Sequence, residues 1–158
     1  GEFKKMCNWL LSKKRNPYPQ RIIHASPCAK DFSVPLAPSP PDRWLAIDSI
    51  GNQKLKVMGS VSQGGDTIKE IQMKMGTLDA SWSKDNTLDV KAENVHTFRV
   101  LLSEELVDLD KPILINVNDK QVFNETVAPS LPFAMQYIDK HRDLGMIYVA
   151  EIIVQVKK

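Results

Sequence analysis

Residues 78–90 read LDASWSKDNTLDV, and this stretch decides the fold class. Apolar and polar residues alternate up to Trp82, which is the two-residue period of a strand with one buried face. Residues 84–86 (KDN) have the composition of a turn, and the alternation resumes at Leu88. The stretch therefore predicts two antiparallel strands joined by a tight turn.

The same period continues on both sides of this hairpin. Alternation or turn-bounded apolar runs predict further strands at 20–25, 55–61, 67–75, 98–102, 113–117, 121–127 and 148–156. About nine short strands at roughly ten-residue spacing indicate a mainly β fold, an immunoglobulin-like or related antiparallel β-sandwich. One further short helix is predicted at 131–142, where Leu131, Met135, Ile138 and Arg142 share a face.

An amphipathic helix opens the chain. Its apolar face is formed at helical spacing by Phe3, Met6, Cys7, Leu10 and Leu11, with Trp9 on the flank. The segment Asn16-Pro17 ends it, because residues before proline avoid the helical region. Such a short helix is marginal by itself, so its apolar face must press against another surface. The candidate interaction residues are Phe3, Met6, Trp9, Leu10, Leu11, Tyr18 and Trp44.

Composition divides the chain into three parts. Residues 1–25 hold the helix and a short strand and are predicted to be the tail of an upstream domain. Seven of the ten prolines precede position 42, and 26–42 is predicted to be a proline-rich linker. Residues 43–158 are predicted to form the β-sandwich domain.

Charge follows a similar division. Residues 1–30 carry a net charge of +6, whereas 31–158 carry −4, and the whole chain carries +2. This balance does not indicate a nucleic-acid partner, and Lys13-Lys14-Arg15 is interpreted as a solvated helix end. The longest apolar run has about five residues, against roughly 18 for a membrane helix, so no membrane partner is expected.

Motifs of catalysis and metal binding are missing from the sequence. There is no G-x-S-x-G elbow, and Gly59-Ser60-Val61-Ser62 lacks the closing glycine. The histidines, His24, His96 and His141, lack zinc spacing and are interpreted as exposed or hydrogen-bonded surface residues. We therefore predict no catalytic, cofactor-binding or metal-ligating residue and no enzyme activity of this chain by itself.

Two smaller features leave alternatives open. The acidic segment Asp108-Leu109-Asp110, with two glutamates nearby, could bind calcium, but a turn with side-chain-to-backbone hydrogen bonds is the simpler interpretation. Cys7 and Cys28 are the two cysteines, and the sequence does not decide whether they pair.

Aromatic residues raise an alternative function. Exposed rings such as those of Tyr18 and Trp44 could stack on sugars, which would make the chain a carbohydrate- or polymer-binding module. The competing interpretation places Trp82 in the core, in phase with Leu78, and Trp44 at the start of a strand. Aromatic residues make up only 7% of the chain, which is lean for a sugar-binding module.

Several segments together resemble a known type of protein. They are 9–19 (WLLSKKRNPYP), 43–48 (RWLAID), 86–90 (NTLDV), 94–95 (NV), 107–112 (VDLDKP), 115–118 (INVN) and 122–123 (VF). This set is similar to the C-terminal region of bacterial α/β-hydrolases of the prolyl-oligopeptidase and esterase type, in which a final hydrolase helix precedes a small β-sandwich. Asp119 stands where that pattern usually has glycine.

The resemblance implies a function for the chain. It would be a non-catalytic accessory domain that packs on, or shapes access to, a catalytic domain of the same polypeptide, whose serine, acid and histidine would all lie upstream of Gly1. The resemblance also implies a secreted or periplasmic location. A homodimer formed through the N-terminal helix is an alternative partner for the apolar face.

Overall fold

A computed structural model of the chain describes residues 1–12, 16–27, 43–62 and 66–157. Its described part is mainly β with two helices, as the sequence predicts. In chain order the elements are α1 (Glu2–Ser12), β1 (Arg21–Pro27), β2 (Leu45–Ile50), β3 (Lys54–Ser62), β4 (Asp66–Trp82), β5 (Thr87–Glu93), β6 (Val95–Leu102), β7 (Ile113–Val117), β8 (Lys120–Glu125), α2 (Leu131–His141) and β9 (Ala150–Gln155). Most of the predicted linker, 28–42, lies outside the described residues.

The strands form two sheets. The larger sheet has the order β1-β4-β5-β7-β8, with β3 also paired to β4, and the smaller sheet has the order β2-β6-β9. The prediction of purely antiparallel pairing is wrong at one place, because β5 and β7 run parallel. A parallel pair needs a crossover connection, and here the chain leaves the larger sheet through β6 and returns at β7.

One hydrophobic core lies between the sheets. Strands β5, β7 and β9 bury side chains at alternating positions, as the alternation predicts. The largest fully buried side chains are Trp44, Tyr148, Phe98, Leu45, Leu78, Leu88, Leu102, Ile113, Ile115 and Val100. They come from both sheets and belong to one contiguous cluster, so the two sheets stabilise each other.

The strand β4 differs from the sequence prediction. Separate strands were expected at 67–75 and from Leu78, but the chain runs straight from Asp66 to Trp82. Its first half pairs with β3, and its second half pairs with β1 and β5. Gly76 lies where these halves meet, and a Cβ there would be only 2.6 Å from the Ile50 side chain. Glycine therefore allows β4 to pass close to β2 without ending.

β1 belongs to the larger sheet. It pairs with β4 along its whole length, and Ile22 is part of the core. His24 lies two residues farther along the same face and is buried, so the prediction of a surface histidine is wrong. The grouping of this strand with α1 in an upstream tail stays a prediction, as do the other domain boundaries.

Three asparagines fix turns with left-handed backbone. Asn86, Asn94 and Asn118 have φ of 55°, 54° and 50°. The Asn118 side chain accepts from the Ala92 N–H and donates to the Ala92 carbonyl, at 2.9 and 3.1 Å, which continues the pairing of β5 beyond the end of β7. Asp119 also has a positive φ, 66°, and two such residues in succession form the turn type that tight hairpins favour.

Candidate functional site

The apolar side of α1 is the first candidate site. Phe3, Met6 and Trp9, here called the α1 stripe, are 76%, 50% and 58% exposed. No described side chain of α1 belongs to the hydrophobic core or packs against it. The side chains of Leu10 and Leu11, which complete the predicted face, lie outside the described part. The structure thus shows an amphipathic helix with large apolar groups in solvent.

Hydrogen bonds at the two ends of α1 are local. The Lys5 N–H lies 3.4 Å from the Gly1 carbonyl, and the Ser12 hydroxyl donates to the Trp9 carbonyl at 2.7 Å. Glu2 in the first turn is favourable to the helix dipole. A helix of 11 residues is marginal in water, and helices in proteins take most of their stability from packing. The α1 stripe therefore has the composition of a contact surface.

Tyr18 serves a structural role. Its hydroxyl accepts from the Ile147 N–H at 2.9 Å and donates to the Ile147 carbonyl at 3.3 Å. Its ring meets the buried Tyr148 edge-on, with centroids 5.9 Å apart. These contacts attach the segment that precedes β1 to the segment that precedes β9. The residue is partly buried, and its ring and hydroxyl both take part in this attachment.

Trp44 lies in the core. Its side chain is fully buried, its ring packs against that of Trp82, and its Nε1–H donates to the Pro19 carbonyl at 2.7 Å. The sequence prediction that Trp44 contributes to an interaction surface does not agree with this position. The competing interpretation placed Trp82 in the core and Trp44 at the start of a strand. Trp82 is buried, and Trp44 directly precedes β2.

A second candidate site is a cavity beneath α2, here called the α2 cavity. It lies between that helix and the outer face of the smaller sheet and has a volume of about 240 Å³. Its lining residues are Ala46, Arg99, Leu101, Phe133, Gln136, Tyr137, Lys140, His141 and Glu151. The sequence predicts none of these residues as a binding residue, and it assigns His141 only to the exposed or hydrogen-bonded surface.

Arg99 is held in place by two carboxylates. Its Nε–H faces both carboxylate oxygens of Asp48 at 2.9 Å, and its Nη1 lies 3.6 Å from Glu151 Oε2. The three residues come from β2, β6 and β9, whose pairing brings them together on the outer face. An arginine has five N–H donors, and within the described residues only Nε–H is within hydrogen-bond distance of these carboxylates. The guanidinium is therefore oriented with donors to spare.

Tyr137 and His141 form a stacked pair on α2. Their ring centroids are 4.0 Å apart, and His141 Nδ1 lies 2.9 Å from the Tyr137 carbonyl. A carbonyl only accepts, so Nδ1 carries the hydrogen and Nε2 is the acceptor of the neutral ring. Burial raises the pKa of Tyr137, and the charge of Asp143 acts in the same direction.

The acidic segment before β7 forms a turn. The Asp108 carboxylate accepts from the Asp110 N–H at 3.1 Å and binds Lys111 Nζ at 2.7 Å. The hydrogen bond from Lys111 lowers the pKa of Asp108, and the one from the Asp110 N–H adds to this shift. Among the described residues, no three histidine, cysteine or acidic side chains are grouped so as to hold a metal ion. Cys28 lies outside the described part, so its pairing with Cys7 is untested.

Comparisons with known proteins identify no relative. No protein-family model, no curated protein and no solved structure matches the chain. Within the described part, neither α1 nor α2 has the length and apolar character of a membrane-crossing helix.

Proposed function

We propose that the chain is a non-catalytic accessory domain of a bacterial α/β-hydrolase of the esterase or peptidase type, with an immunoglobulin-like or related β-sandwich fold. In this proposal α1 docks on the catalytic domain of the same polypeptide, and the sandwich packs on it or shapes access to its cleft. The observation that supports it is the α1 stripe, in which three large apolar side chains are half or more exposed. The resemblance of the segments around 9–19 and 107–112 points to the same class.

The energy available from docking is substantial. Full burial of a large apolar side chain contributes about 1.5–3 kcal/mol, so covering the exposed parts of Phe3, Met6 and Trp9 contributes about 3–5 kcal/mol. Exposed apolar patches of this kind mark protein contact sites. The stripe alone would therefore give docking a clear advantage once the two domains are held in one chain.

The test uses Trp9 as its own reporter. Trp9 is exposed, whereas Trp44 and Trp82 are buried, so acrylamide should quench one tryptophan component of the isolated chain. Addition of the polypeptide encoded immediately upstream should protect that component. Phe3→Asp should abolish the protection, because it places a charge in the contact.

Met135→Asp is the matched control. Met135 is 63% exposed on α2, so an aspartate there introduces the same charge and also removes exposed apolar surface, but it should leave the protection intact. Failure of the upstream polypeptide to protect Trp9, or protection that survives Phe3→Asp, would contradict the proposal. A Trp9 that is already protected in a dimer of the isolated chain would assign the stripe to a second copy instead.

A carbohydrate-binding function is the second candidate. Its original basis, stacking on Tyr18 and Trp44, receives no support from the positions of those rings. The α2 cavity offers a different basis, because polar groups of both kinds meet there beside aromatic rings.

A further inference from the structure

We propose that the α2 cavity binds one neutral sugar residue of hexose size. The inference rests on the second candidate function and is independent of α1 docking, because α1 contributes no residue to the cavity. It moves the site from the Tyr18 and Trp44 rings predicted from the sequence to the outer face of the smaller sheet, where neither residue lines the cavity.

The size of the cavity limits the ligand. Pockets for drug-sized ligands have volumes of about 300–1,000 Å³, and the α2 cavity, at about 240 Å³, is smaller. It is therefore suited to a single ring rather than to an extended oligomer. A longer glycan would have to present one terminal or side residue to it.

The charge balance of the cavity favours a neutral ligand. Arg99 and Lys140 are cationic, and Glu151 together with Asp48, which binds Arg99, supplies two carboxylates. The formal charges cancel, so neither an anion nor a cation is favoured by the net field. A ligand here gains through hydrogen bonds rather than through net charge.

Donors and acceptors are both present, which suits hydroxyl groups. The spare N–H groups of Arg99 and the ammonium of Lys140 donate, the Glu151 carboxylate accepts, and the Gln136 amide does both. A hydroxyl is itself a donor and an acceptor, and hydrogen bonds to charged groups are the stronger kind. Several vicinal hydroxyls could thus be satisfied at once.

The remaining wall is apolar. Leu101 and Ala46 are buried on the outer face of the smaller sheet, and Phe133 and Tyr137 stack beside them on α2. A sugar ring carries C–H groups on one face and hydroxyls at its rim, so it matches a site with an apolar wall and polar edges. This combination separates a sugar from a smaller, wholly polar ligand.

Saturation-transfer NMR with the intact chain tests the proposal. The probes are glucose, galactose, mannose, xylose and N-acetylglucosamine, with glucuronate as the charged comparison. We expect at least one neutral sugar to bind with an affinity that does not change with salt. Arg99→Lys and Glu151→Gln should each weaken it by at least about tenfold, because each removes or misplaces a charge-assisted hydrogen bond.

One matched control and one further variant accompany these two. Met135→Ala, on the solvent side of the same helix, is the control and should leave the affinity unchanged. Lys140→Ala, which removes a donor of the site at the exposed end of α2, should weaken binding without loss of fold. Should Arg99→Lys fail to fold, Glu151→Gln and Lys140→Ala decide the question.

Three results would overturn the inference. They are no binding by any of the five neutral sugars, affinity that survives Glu151→Gln and Lys140→Ala, and salt-dependent binding of glucuronate in preference to glucose. None of them affects the Trp9 quenching experiment, so failure of this site and failure of α1 docking remain distinguishable.

Discussion

The two helices of the chain have the same length and opposite surroundings. Both α1 and α2 have 11 residues and an amphipathic pattern. On α2, Phe133 and Tyr137 pack against the core and Ala134 is buried, whereas no described side chain of α1 reaches the core. The difference shows that helical periodicity predicts the presence of a helix, while its partner surface has to be found in three dimensions.

The largest expected effect is on the packed helix. Tyr137→Ala should lower the free energy of unfolding by about 2–3 kcal/mol, since it removes a half-buried ring that contacts Tyr148 edge-on at 5.2 Å. Urea unfolding followed by far-UV circular dichroism measures the loss. A change below about 0.5 kcal/mol would mean that α2 is as weakly attached as α1.

The N-terminus of α2 gives the next effect. The Ser130 hydroxyl accepts from the Phe133 N–H at 3.3 Å as a helix cap, so Ser130→Ala should cost about 1 kcal/mol. Ser12→Ala in α1, whose hydroxyl donates only to the exposed end of its own helix, is the comparison and should stay within about 0.5 kcal/mol. Equal losses in the two variants would remove the contrast between the helices.

Alkaline pH should lower stability through Tyr137 of α2. Because the pKa of Tyr137 is raised in the folded state, its contribution to stability is fully present below the unfolded value of about 10 and is lost as pH rises through the folded pKa. Tyr137→Phe cannot ionise, so its melting temperature should fall less than that of the parent chain above pH 10. Parallel melting curves for the two proteins would contradict the assignment.

The smallest expected effect is on α1. Phe3→Ala should change the free energy of unfolding of the isolated chain by less than about 0.5 kcal/mol, because the ring is already in solvent. The same urea titration as for Tyr137→Ala measures it. A loss above about 1 kcal/mol would show that the sandwich itself covers the α1 stripe and would end the case for a separate partner.

The sequence predicts secondary structure correctly where buried residues recur at the spacing of a strand or a helix. The hairpin around 78–90, the strands at 98–102 and 113–117 and the helix near 131–142 are present, because alternation or helical spacing reflects a single buried face. On α2, however, Leu131 and Met135 of the predicted apolar face are 73% and 63% exposed. Phe133 and Tyr137 pack against the core instead. Large rings bury more area, so they outweigh a longer row of aliphatic residues.

Of the two candidate sites, the α1 stripe had a pattern in the sequence and the α2 cavity had none. Phe3, Met6 and Trp9 were predicted as an interaction surface, and the structure leaves them exposed, although what they contact stays a prediction. The α2 cavity had no signal in the sequence, because Arg99, Tyr137 and Glu151 are far apart in the chain and have ordinary surface chemistry on their own.

By itself, the amino-acid sequence determined that this chain is mainly β, that it opens with an amphipathic helix, and that the hairpin at 78–90 faces a core. These properties depend on neighbours within a few residues, so a local pattern suffices. Only the tertiary structure decided that β5 and β7 run parallel, that Trp44 is buried, and that Arg99 meets Glu151 beneath α2. Such contacts join segments that are far apart in the chain. Which segments meet depends on packing energies summed over the whole molecule.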